Sequence, residues 1–163
     1  MRKRFVLMER KDLVISKKLV GLTMSYVVIY DGNCNLCVNF VRLLEKFDRG
    51  NLFCYIPMQD QETLMQFNVT PNDCEMGMIL IDRKNDKQRW QGSEAAEEIA
   101  RLLPMGNLLI SSYRAISPLK SLGDSTYIQI RDNRYKLFGK RDRTYHTAYP
   151  FGCVDKKTNP NFL

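Results

Sequence analysis

One histidine and one tryptophan stand in the whole chain, and no glycine-rich phosphate loop accompanies them. The lone histidine, His146, lies in no hydrolase pattern, so a Cys–His nucleophilic site would have to be built around it without a supporting motif. A phosphatase loop needs an Arg six positions after its cysteine; Phe40 and Leu43 fill those places. A phosphoaspartate hydrolase would suit the Val-Ile-Tyr-Asp run, but Asn33 stands where its second Asp belongs. Nicotinamide and flavin motifs are missing, so no cofactor is expected. Long apolar runs are missing too: Leu19–Tyr30 and Leu102–Tyr113 are about a dozen residues each, against roughly 20 for a membrane span. Met1-Arg2-Lys3-Arg4 makes a basic start, yet Glu9, Arg10, Lys11 and Asp12 interrupt any secretory core. Five cysteines are sparse and odd in number, which argues against a secreted disulfide scaffold. The expectation is a soluble protein of the cytoplasm or another reducing compartment.

What is present fits one domain with some decoration, since 163 residues can bury a proper core. The net charge is +7. Its bases are scattered except at Met1–Lys18 and Arg131–Arg143, and read as solvated faces and tails. No nucleic-acid partner is expected, because Arg134, Tyr135, Lys140 and Arg141 come without an RNA-binding signature. They read instead as a cap over a sheet edge.

The chemistry gathers at Tyr30-Asp31-Gly32-Asn33-Cys34-Asn35-Leu36-Cys37. Tyr26-Val27-Val28-Ile29 before it predicts a buried strand, and Val38–Asp48 after it predicts an amphipathic helix. Two thiols at a strand-to-helix junction meet unpaired N–H groups and the positive end of the helix dipole, which favours a thiolate near neutral pH. The spacing predicts that Cys34 attacks a disulfide and Cys37, one turn on, resolves the mixed disulfide. Gly32 is expected to supply unusual backbone angles to the turn. Asp31 has two open readings: a turn residue accepting backbone N–H groups, or a functional residue, either a proton acceptor for Cys37 during resolution or a partner for a base such as Arg141. Structural zinc or an iron–sulfur cluster is the chemical rival; it needs about four ligands, and only Cys54, Cys74, Cys153 and His146 remain to supply them. Cys54 reads as buried packing, Cys74 and Cys153 as loop thiols.

In order, residues 1–25 read as a basic extension, open between a flexible arm, an extra element and an upstream start before Met24. The first helix should bury Cys37, Phe40, Val41, Leu44 and Phe47 and stop at Gly50. Leu52–Ile56 predicts a second strand, Gln59–Phe67 a short helix and Val69–Glu75 a loop. Met76–Ile81 and Gln88–Gln91 predict an antiparallel pair turning at Asn85-Asp86. Ser93 should cap a helix with Glu94 and Glu97 in its first turn, Ile99, Leu102 and Leu103 inward and Pro104 at its stop. Helices are expected over Asn107–Ala115 and Leu119–Asp132, and an irregular tail over 143–163. This order predicts an α/β thioredoxin-like fold over 26–142: a central four-stranded mixed sheet flanked by helices, with an extra helical C-terminal part.

Asp31, Cys34 and Cys37, Phe53–Gln59, Met78–Asp82 with Gly92-Ser93-Glu94-Ala95-Ala96, and Asn133–Asp142 together resemble the DCC family of thiol-disulfide oxidoreductases, across Tyr26–Asp142. The resemblance implies a thioredoxin-like fold and a protein-disulfide reductase activity with Cys34 and Cys37 as the redox pair. Its implied partners are a disulfide-containing protein or small-thiol substrate and an unidentified reductant. Thioredoxins usually carry a cis-Pro opposite the C-x-x-C; Met76-Gly77 stands there in this chain. The alternative is a non-catalytic metal- or partner-binding module using the cysteine pair and the basic-aromatic segment.

Overall fold

The computed structural model describes residues 24–85 and 88–152. The basic stretch Met1–Lys18, the hairpin tip at Asp86, Cys153 and the rest of the C-terminal tail lie outside the described residues. Four strands form one sheet in the order β2-β1-β3-β4: β1 (Tyr26–Tyr30), β2 (Phe53–Pro57), β3 (Ile79–Asp82) and β4 (Arg89–Gln91). β1 pairs parallel with β2 and antiparallel with β3, and β3 pairs antiparallel with β4. The helices are α1 (Asn35–Asp48), α2 (Gln61–Met65), α3 (Pro71–Glu75), α4 (Ser93–Leu102), α5 (Gly106–Ala115) and α6 (Ser117–Phe138). A mixed four-stranded sheet flanked by helices, with a helical C-terminal part, is the thioredoxin-like arrangement.

The alternation of side chains along a strand divides the core in two. Val28, Tyr30, Phe53, Tyr55 and Leu80 face α1 and α4, where they meet Val38, Val41, Leu44, Ala95 and Ile99. Val27, Ile29, Cys54, Ile56, Ile79 and Ile81 face the other way, onto Leu64, Val69 and Cys74 of the α2–α3 side. Both faces of β1 are therefore buried, which is why its sequence is a continuous apolar run rather than an alternating one. Truncating Leu44, fully enclosed between α1 and the sheet, to Ala would cost about 3 kcal/mol.

Several expectations are corrected. α1 begins at Asn35, not Val38, because Cys34 itself is the residue at its N-terminal boundary. Its buried face is Val38, Val41 and Leu44, ending on Asp48. That face is turned one residue from the expected stripe: Phe47 is 69% exposed. Asp48 is buried because its carboxylate takes the backbone N–H groups of Leu52 and Phe53 and so fixes the turn into β2. Arg49 already leaves the helix with φ 53°, one residue before Gly50. The segment expected as a loop over 69–75 contains α3, started by a reciprocal cap between Thr70 and Asp73 with Pro71 in the first turn. Gly92, at φ 63°, and not Ser93, is the N-cap of α4. Glu97 and Glu98 are buried: Glu97 pairs with Arg114 of α5 at 2.7 Å and Lys120 of α6 at 3.5 Å. These ion pairs tie the two C-terminal helices to α4. α6 runs through to Phe138 and so absorbs the first half of the basic-aromatic segment, which does not lie on a sheet edge. The edge of β2 is met instead by Tyr149–Phe151: Tyr55 N–H donates to Tyr149 O at 3.1 Å and Phe151 N–H to Tyr55 O at 3.2 Å.

Candidate functional site

β1 ends at Tyr30 and the chain turns at once into α1, so Asp31, Cys34 and Cys37 gather at one end of the sheet. Residues 34 and 37 are one helical turn apart, and the Cys37 S–H donates towards the Cys34 sulfur. This contact is the largest influence on Cys34, whose thiol is lowered to about 6. Burial opposes the shift; the backbone N–H groups of Cys37 and Leu36, turned towards the sulfur, assist it; and the Asp31 charge opposes it. Cys37 moves the other way, raised first by its bond to Cys34, then by burial and by the negative charges of Cys34 and Asp31. The pair thus holds one anion and one proton, with the anion on the sulfur at the positive end of α1.

The two sulfurs differ in access. Cys34 was expected to face a substrate, yet it is 0% exposed. A strap that follows α6 covers it. Cys34 and Lys140 form an antiparallel bridge. Asn35 N–H donates to Gly139 O at 3.4 Å, Arg141 N–H to Asn33 O at 2.7 Å and Tyr145 N–H to Gly32 O at 2.9 Å. Asn35 Nδ2 donates to Phe138 O and Thr144 Oγ1 to Asn33 Oδ1. Gly32 proves to be a matter of space rather than of backbone angle: a Cβ there would lie 2.6 Å from Thr144 Cγ2, and its φ is outside the left-handed region. Cys37 is only half-buried and lines a cavity on the opposite side.

Asp31 is 5% exposed and fully engaged. Oδ1 takes the Asn33 N–H at 2.9 Å and Gln59 Nε2 at 3.0 Å; Oδ2 takes the Tyr135 hydroxyl and Arg134 Nη2, the latter at 3.4 Å. The turn reading of Asp31 is therefore met through Asn33. Its basic partner is Arg134, whereas Arg141 reaches Asn35 Oδ1 at 3.3 Å. Arg134 also lies 5.0 Å from the Tyr135 ring, so cation, ring and carboxylate form one cluster. Arg134 and Tyr135 were missed as site residues because they lie over 100 positions from Asp31; the one available signal was their place in the basic-aromatic segment.

Of the other described thiols, Cys54 stands apart from the pair, whereas Cys74 lines the same cavity as Cys37. Cys54 is buried in β2, as expected, donates to Tyr26 O at 3.4 Å and is pushed up to about 11 by burial. Cys74 is not in a loop but buried in α3, and burial raises it likewise to about 11. Among the described residues no three His, Cys, Asp or Glu side chains converge as a metal site, and no helix is long and apolar enough to cross a membrane.

A family model described as DCC1-like thiol-disulfide oxidoreductase matches residues 28–140, from β1 to the strap. The uncharacterized protein YuxK of Bacillus subtilis is 30% identical over 118 residues, which is 71% of this chain and 82% of that relative. A chloroplastic DCC family protein of Arabidopsis thaliana is 25% identical over 119 residues, 71% of this chain and 66% of its own length. No solved structure matches the chain.

Proposed function

The chain belongs to the DCC1-like thiol-disulfide oxidoreductase family, and on that footing we propose that Cys34 and Cys37 reduce disulfides by dithiol exchange. The observation that carries the reading is the divided pair: a Cys34 thiol lowered to about 6 beside a Cys37 thiol held protonated. The Cys34 thiolate attacks one sulfur of R–S–S–R′, forming Cys34–S–S–R and expelling R′S⁻. Cys37 then gives up its proton and attacks Cys34 Sγ, closing the Cys34–Cys37 bond and expelling RS⁻. Two electrons pass from the dithiol to the substrate; the single proton of the pair leaves Cys37 by way of Asp31 and reaches one expelled thiolate, and the other thiolate leaves as the anion or is protonated by water. Asp31, which lines the same cavity as Cys37, is the base that receives the Cys37 proton in exchange for one of its four resting donors, with Arg134 and Tyr135 holding its carboxylate in place. A protein dithiol or a small thiol in a reducing compartment returns the pair to its reduced form.

The test is reduction of insulin disulfides, with dithiothreitol as electron donor, by the wild type, Cys34→Ser and Cys37→Ser. The expected result is background turnover for both variants and, when insulin is offered to the reduced protein without dithiothreitol, a stable mixed disulfide in Cys37→Ser alone, seen by intact mass. Undiminished turnover in Cys34→Ser would remove that sulfur from the chemistry.

A further inference from the structure

A cavity of about 190 Å³ lies between the end of the sheet, α1 and α6, with Cys37 in its wall. Leu36, Phe40, Met58, Met78, Ala96 and Ile130 supply apolar lining. An apolar cavity of about 150 Å³ takes up benzene and stays dry when empty, so this one has room for a six-membered ring and a short stem. Its charged neighbours have ion partners, although the buried Nε of Arg134 makes no hydrogen bond. Arg134 is paired with Asp31, and Arg131 is paired with Asp132 at 2.8 Å and donates to Met76 O. No unpaired ion in the lining therefore selects a charged ligand, and the apolar walls select a neutral one.

Together with the sealed strap side, this geometry fixes the direction of approach. Substrate cannot reach Cys34 from the strap without breaking the bridge to Lys140, whereas Cys37 already opens onto the cavity. Resting on the reductase reading above, we infer that the cavity is the substrate subsite and takes a neutral aromatic or compact apolar group attached close to one sulfur of the disulfide. A ring lodged there brings its sulfur beside Cys37, one S–H···S contact from the Cys34 thiolate. The exchange then runs as written above, with R the group that carries the ring. That ring belongs either to a small aromatic thiol or to the side chain next to a cysteine in a peptide.

Two measurements test this. The first compares kcat/KM for benzyl 2-hydroxyethyl disulfide and bis(2-hydroxyethyl) disulfide, which have similar intrinsic reactivity, with dithiothreitol as donor. The ring should win by about tenfold, as single apolar groups do in a matched pocket. The ratio of the two kcat/KM values should fall to about one in Ala96→Leu and in Ile130→Phe, which fill the cavity from two different helices, with an unchanged far-UV circular dichroism spectrum showing that the fold is kept. Matching mixed disulfides of Phe-Cys and Ser-Cys dipeptides separate the sources: a preference for Phe-Cys as large as that for the benzyl compound assigns the ring to a peptide, and its absence to a small thiol. The second measurement needs no chemistry: benzyl alcohol should raise the unfolding temperature of the reduced wild type and not of Ile130→Phe. Equal kcat/KM for the two small disulfides, or no thermal shift with benzyl alcohol, overturns the subsite. A thermal shift without turnover of any disulfide retains the ring site and overturns the reductase reading instead.

Discussion

Cys34 and Cys37 are one turn apart on the same helix and live in opposite surroundings. Cys34 is closed over by backbone, held on its strap side by a bridge and a row of main-chain bonds, and made acidic by the donors around it. Cys37 lines the cavity, and is made reluctant to ionise by its bond to Cys34, by burial and by the negative charges next to it. The lesson is that reactivity and accessibility are not supplied by the same atom here. The helix end provides an anion where the chain is tightest, and the cavity provides access where the proton stays on. Dithiol exchange needs both, which is a physical reason for the two sulfurs to be in contact.

That contrast can be broken in stages. The largest effect is expected from Asp31→Ala, which leaves Arg134, Tyr135 and Gln59 facing an empty place near the pair. Losing one partner of a buried ion pair and its bonds should cost about 3 kcal/mol, read as the midpoint of urea unfolding. Next comes Cys37→Ala, which removes the first-ranked influence on Cys34. Its thiol should drift from about 6 towards the ordinary value, so alkylation of Cys34 at pH 7 in unfolded-free conditions should slow by about tenfold. A smaller effect is expected from Thr144→Ala, which deletes one strap bond to Asn33 and relieves its contact at Gly32. Stability should fall by about 1 kcal/mol while iodoacetamide labels Cys34 faster, and unchanged labelling would mean that the strap does not limit access.

The pH dependence follows from the same two directions. Cys34 is lowered in the folded protein, so the stability it contributes is present above pH 9 and declines as pH falls through 9 to about 6. Cys37 is raised, so it destabilises only above pH 9, where the unfolded thiol ionises and the folded one does not. The reduced protein should gain stability from pH 6 to 9 and lose it beyond, and Cys34→Ser should flatten the rising limb.

Much of this was readable from local pattern, and what was not has a common cause. β1, the turn into α1 and the C-x-x-C spacing are carried by contiguous residues, as is the hairpin of β3 and β4. The Thr70–Asp73 cap with Pro71 was also local, but Asp in place of the usual Glu at that position hid it. α6 was expected to end six residues early because its apolar residues, Leu122, Ile128, Leu137 and Phe138 among them, are left partly exposed and none is fully buried, so no buried stripe marks its length. The exposed Phe47 and buried Asp48 invert the usual preferences, since the carboxylate is needed for two backbone donors of the next strand. The strap and the Arg134–Tyr135 cluster join positions more than 100 apart, and no periodicity reports a contact of that range.

Glu45, on the outward side of α1, has a practical consequence. Its carboxylate receives the hydroxyls of Tyr145 and Thr147 and the Ala148 N–H, while Tyr30 reaches across to Tyr145 O. A fragment trimmed at residue 142 would keep every residue of the conserved-looking cysteine motif, yet lose the latch that holds this ribbon against the first helix. Such a shortened product should be more easily digested and hydrogen-exchange faster near the thiols, so the useful place to cut an expression clone is after Phe151 rather than where the family resemblance stops.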